Sequence, residues 1–131
     1  MGNDDCICVV SKMALRKVIL DLDASSFVQY HLKFITDAQS FFSQAKDVLP
    51  LDPPISGNVN WDAFVDSLWS GLEKLDANKI AILWHDSAVM KQHDPRNYAI
   101  CIECLCDICE SLKTTADGAT EVKAIRVFLI E

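Results

Sequence analysis

Apolar positions along the chain recur at two spacings, and the alternation between them lays out the elements. Lys17-Val18-Ile19-Leu20-Asp21-Leu22 is β-branched and almost continuously apolar, as in a strand covered on both faces. Residues 79–85 (Lys79-Ile80-Ala81-Ile82-Leu83-Trp84-His85) and 122–130 read the same way. Between the first two runs, Thr36 is expected to cap a helix with Phe41, Phe42, Ala45, Val48 and Leu49 on one side and Pro50 as its stop. A loop over 51–59, with Asp52-Pro53-Pro54 and Ser56-Gly57-Asn58, leads into a second helix starting at Asn60. Residues 86–91 suggest a short helix and 96–113 a long one, and Asp117-Gly118 marks a turn before the last strand. Two stretches stay open. Residues 27–35 alternate like an extended piece but also fit a helical turn. Cys6-Ile7-Cys8-Val9-Val10 fits either an edge strand or a segment packed on the fold. Strands joined through helices imply parallel pairing with right-handed crossovers. The expectation is an α/β fold: one domain over 1–131, a small three-stranded, mostly parallel sheet packed by helices, with residues 1–16 as an N-terminal extension.

The helix from Asn60 carries the most information. Trp61, Phe64, Val65, Leu68, Leu72 and Leu75 form one apolar face at helical spacing. Asn60 is a good N-cap, and Asp62 in the first turn favours the positive end of the helix dipole. Gly71 falls inside the pattern and weakens its end. At about 100° per residue, Asp62, Asp66, Trp69 and Glu73 share an arc of roughly 60° beside the apolar face. A core does not require three acids and a large aromatic there. Such a stripe suits a partner-binding surface, to which Gly57 and Asn58 of the preceding loop could contribute, since that loop lies beside the first turn. A solvated flank with a half-covered Trp would look the same.

Charge sharpens this picture. Nineteen acids against twelve Lys and Arg give a net charge of −7, which disfavours direct contact with nucleic acid or an anionic membrane and favours a cationic partner. The acidic start, Met1 to Asp5, lacks the basic region of a signal peptide, and Cys6 stands where an acylated Met-Gly start would have Ser or Thr. No apolar run approaches the roughly 20 residues that span a bilayer. A cytoplasmic protein, monomeric when free, is expected. Cys101-x-x-Cys104 and Cys106-x-x-Cys109 have the spacing of zinc or redox motifs, but they sit in a helical pattern without turns. They read primarily as core-packing thiols. His85 and Asp86 end a strand where α/β folds often carry sites. Neither a G-x-S-x-G elbow nor a Gly-rich phosphate loop is present, so no enzyme and no cofactor are expected.

The run Asn60-x-Asp62-Ala63-x-x-Asp66-x-Leu68, preceded by a loop with Pro and Gly, resembles the barstar family of ribonuclease inhibitors. The strand ending Ile82-Leu83-Trp84 and the closing run from Ile125 to Ile130 resemble it too. The resemblance spans roughly residues 17–131 in element order and is strongest over 57–84. It implies a small parallel sheet with an acidic inhibitory helix, and a basic secreted ribonuclease or nuclease toxin as partner. It also implies that Asp66 takes the place of an RNA phosphate among the nuclease's cationic side chains, with Asp62 as a second interfacial acid. Some positions depart from the family pattern. Val65 replaces a frequent Trp before the second acid, Ile55-Ser56 replaces loop aromatics, and one extra residue follows Gly57. The helical register puts Ser111, beside Glu110, where the family has an acid on the last helix. Trp69 could supply an aromatic one turn on. A barstar-like interaction domain with a non-nuclease partner is the alternative these departures raise.

Overall fold

The computed structural model describes residues 6–113 and 123–131. Four strands, β1 (Ile7–Val10), β2 (Val28–Leu32), β3 (Lys79–His85) and β4 (Ala124–Ile130), form one sheet in the order β1-β4-β3-β2. Every pairing is parallel. Five helices surround it: α1 (Leu15–Ala24), α2 (Ala38–Val48), α3 (Trp61–Lys74), α4 (Ser87–His93) and α5 (Pro95–Lys113). The α/β class and parallel sheet agree with the sequence, but the sheet has four strands rather than three. No described helix is long and apolar enough to cross a membrane.

One expected strand is a helix. Residues 17–22 lie inside α1, where Leu15, Val18, Ile19 and Leu22 turn to the sheet while Leu20 is exposed. These positions follow the i, i+3, i+4, i+7 stripe, which the β-branched run obscured. The strand role passes to 28–32, the stretch left open, and the short run at 7–10 becomes the edge strand β1 beside β4. Asp37 rather than Thr36 caps α2. Its carboxylate accepts from the Ser40 N–H at 2.8 Å, and the Ser40 hydroxyl accepts from the Asp37 N–H at 3.0 Å, a reciprocal capping box. The expected turn at Asp117-Gly118 and the start of the last strand at Val122 lie outside the described residues.

β3 and β4 are apolar on both faces because both are covered, as a parallel sheet requires. Ile80, Ile82 and Trp84 alternate with Ala81 and Leu83, and across the register Ile125, Val127 and Leu129 alternate with Phe128 and Ile130. The first set joins the main core with Phe41, Phe42, Phe64, Leu68, Leu72, Leu105 and Ile108. The second set packs under α1 with Leu22. Cys101, Leu105, Ile108, Cys109 and Leu112 occupy the core face of a continuous α5. The cysteines there pack as the helical pattern indicated, and none of the six is in a disulfide.

Candidate functional site

Helix α3 starts at its expected cap: the Asn60 side-chain oxygen accepts from the Ala63 N–H at 3.1 Å. Its buried residues are Phe64, Ser67, Leu68, Gly71 and Leu72, and Trp61, Val65, Trp69 and Leu75 pack on the same core while half-buried. The Trp61 indole N–H donates to Asn97 Oδ1 at 3.2 Å, tying the first turn of α3 to α5. At the other end the Lys123 ammonium, itself buried, donates to the carbonyls of Leu75 and Ala77 at 2.6 and 2.8 Å, so the helix end is held by a fixed cation.

Ser67 and Gly71 have a role that periodicity did not reveal. The chain after α2 crosses α3 at these two small residues. The Asp52 N–H donates to the Ser67 carbonyl at 3.0 Å, and the Ser67 hydroxyl donates to the Pro53 carbonyl. A Cβ added to Gly71 would stand 1.5 Å from the Pro50 carbonyl oxygen. Gly71 is thus what lets the loop lie on the helix, not a weakness in it. Lys74 closes the same contact from the last turn by an ion pair with Asp52. The loop is set against the helix at its base, and at Gly57, φ +82°, an added Cβ would meet open space.

Between this loop and α3 lies an open cavity of about 590 Å³. Phe42 of α2, Ile55, Ser56, Asn58 and Asn60 of the loop, and Ala63 and Asp66 of α3 contribute to its wall. Asp62 and Asp66, one turn apart, are both exposed, so their carboxylates stand in water on a helix fixed at both ends. Gly57 lines a second hollow, shared by Asn58 and Val59, against Gln39, Ser43, Lys46 and Asp47 of α2.

The acid-and-aromatic stripe is therefore divided by the structure. Asp62 and Asp66 face solvent, Trp69 and Glu73 are half-buried, and the Trp69 indole N–H donates to the Ser111 hydroxyl of α5 at 2.9 Å. That bond places Ser111 on the side of α5 turned to α3, as its helical register indicates. Val65 is half-buried against the core. The sequence pattern did not reveal that α5 adds negative charge next to Asp62. Burial, then Asp107, Glu103 and Asp62, push the Cys104 thiol up to about 11, so three carboxylates from two helices act on one half-buried sulfur.

His85 and Asp86 take different partners. The Asp86 carboxylate pairs with Lys12 at 2.6 Å. His85 Nε2 lies 2.8 Å from His31 Nδ1, His31 Nε2 lies 3.2 Å from Gln29 Oε1, and the Gln29 amide donates to Asp23 at 2.6 Å. Since Gln29 must present its oxygen to His31, His31 donates from Nε2 and accepts at Nδ1 from His85. Among the described residues no three His, Cys, Asp or Glu side chains come together as a metal-binding group.

A family model described as Barstar (barnase inhibitor) matches residues 25–129. No curated protein and no solved structure matches the chain. The match takes in β2 to β4 and α2 to α5, and leaves β1 and α1 ahead of it.

Proposed function

The chain belongs to the barstar family, and from that premise we propose that it is a cytoplasmic inhibitor, or immunity protein, of a basic secreted ribonuclease toxin. Asp66 carries the reading: an exposed carboxylate at the wall of the cavity between α3 and the 53–60 loop. A nuclease site is electropositive because it holds phosphates. A carboxylate on a helix anchored at both ends is already in position to fill such a site, with little ordering left to do on binding. Asp62 adds a second charge one turn away, and Trp69, Glu73 and Val65 extend the surface along the helix. Gly57 and Asn58 extend it onto the loop. The net charge of −7 speeds encounter with a cationic partner, and that acceleration falls as salt rises.

The test is inhibition of RNA cleavage by a panel of basic microbial ribonucleases, with wild type and Asp66→Ala. The wild type should inhibit at least one member. The variant should weaken that inhibition by about 30-fold or more, the scale of truncating an interface hot spot. Undiminished inhibition by a folded Asp66→Ala protein removes Asp66 from the site.

One observation favours a second reading. Val65 packs half-buried on the core at the position where the family often has Trp, and Ile55-Ser56 occupies the place of loop aromatics. A surface with fewer aromatic anchors suits a partner other than a ribonuclease. Capture of a stoichiometric non-nuclease partner, lost on Asp66→Ala, with no member of the panel inhibited, selects this reading.

A further inference from the structure

Cys6 and Cys109 come together from opposite ends of the chain. Cys6 immediately precedes β1, and its carbonyl accepts from the Val127 N–H at 2.6 Å, which registers it on β4. Cys109 lies on the core face of α5. Both are buried, at 4% and 1% exposure, and belong to the same core cluster. Both line a cavity of about 210 Å³ whose other walls include Lys113, Lys123 and Arg126. Lys113, at the rim of this cavity, is exposed, so an ammonium stands at its edge. Residue 6 precedes the span that the family model matches, and residue 109 lies inside it.

We propose that Cys6 and Cys109 form a disulfide site, oxidised by an anionic low-molecular-weight disulfide such as glutathione disulfide, which covalently staples the β1 segment to α5. The proposal is independent of the α3 surface. Glutathione disulfide carries net negative charge and suits the Lys113 ammonium at the rim. In the first step Cys6 gives up its proton to water, and its sulfur attacks one glutathione sulfur. A mixed disulfide forms, the original S–S bond breaks, and one glutathione thiolate leaves. In the second step Cys109 gives up its proton to water, and its sulfur attacks the Cys6 sulfur and expels the second glutathione. Two protein thiols thus lose two electrons and two protons. One glutathione disulfide takes up both and becomes two glutathione thiols. Burial and the neighbouring Cys6 push the Cys109 thiol up, so the second step is slow at neutral pH and quickens in alkali. The bond closes a loop of about four-fifths of the chain, which restrains the unfolded state strongly.

The experiment uses the full chain in a Cys8→Ser, Cys104→Ser, Cys106→Ser background, incubated with glutathione disulfide at pH 8. Intact mass, alkylation after unfolding, and non-reducing peptide maps are read. The expected result is loss of about 2 Da, a linked Cys6–Cys109 peptide, and a thermal midpoint raised by ~5 °C or more. A Cys6→Ser variant should lose all three changes while keeping the circular dichroism of the reduced parent. Full alkylation of Cys6 and Cys109 after the incubation overturns the proposal, as does a stable glutathione adduct that never resolves to the linked peptide.

Discussion

On one side of the sheet, Ile80, Ile82 and Trp84 of β3 and Ile125, Val127 and Leu129 of β4 join residues of α2, α3, α4 and α5 in one core. On the other side, Ala81, Leu83, Phe128 and Ile130 meet α1, the one helix among the described residues that packs in that cluster. The first side is aromatic at its centre: the Phe41 ring contacts Trp61, Phe64 and Trp84, and Trp84 contacts Tyr98, with centroids 5.2–5.8 Å apart. The second side gives way at its margin to a polar row. There Gln29, His31 and His85 bond to one another, and the Arg126 guanidinium sits 6.0 Å from the Phe27 ring centre. The family match contains the elements that cover the first side, whereas α1 precedes it. Position of the α3 surface therefore depends on the first side. The second side supplies the cover that a parallel sheet needs.

The largest blow to this asymmetry is Trp84→Ala, which should cost about 3–5 kcal/mol in urea unfolding. Trp84→Phe should cost clearly less. The indole N–H is buried with no hydrogen-bond partner among the described residues, so its removal leaves nothing newly unsatisfied. Next comes Gly71→Ala, at about 1–3 kcal/mol, because its Cβ meets backbone rather than a side chain that can move aside. It should also displace the loop and weaken ribonuclease inhibition, a double readout that separates it from a simple core defect. On the second side Leu22→Ala should cost about 2 kcal/mol, the low end for such truncations, since α1 is flanked by exposed positions where the site can relax. Inhibition by the folded fraction should be unchanged. If Leu22→Ala impaired inhibition as much as Gly71→Ala, the two sides would not be separable.

The smallest effect is pH dependence from the histidine pair. Burial lowers both pKa values. Lys33 lowers them further, as does His31 for His85, while Asp23 acts against the shift at His31 and Asp86 at His85. The unfolded chain therefore binds protons that the folded chain does not. Stability from the neutral pair is present above about pH 6.5 and is lost as pH falls through the lowered folded values. His31→Gln with His85→Gln should flatten urea midpoints between pH 7 and 5 relative to wild type. An unaltered slope would show that the pair does not titrate on unfolding.

The barstar resemblance and the acidic flank of α3 were legible because both depend on local order: a cap, a helical period and two acids one turn apart. β3 was legible for the same reason, as its five central residues, Ile80 to Trp84, are apolar whichever face is considered. The loop's contact with Ser67 and Gly71 was not, because close approach leaves only a small residue as its trace. Nor was the acidic contribution of α5, since charges on two helices join only when the helices pack. At residues 17–22 the reading failed outright.

Local sequence thus determined which faces are apolar, where α3 begins, that α5 continues through its cysteines, and that the chain presents acids rather than bases. Those properties follow from side-chain transfer energies and backbone periodicity, which act within a few residues. Tertiary structure alone decided that 17–22 is helical. A short apolar stretch such as Val18, Ile19, Leu20 and Leu22 satisfies both periods, and only the surface it covers selects one. It also decided the juxtapositions across the chain: His31 with His85, Trp69 with Ser111, Cys6 with Cys109. These depend on the register of strands and helices brought together from far apart, which no local pattern encodes.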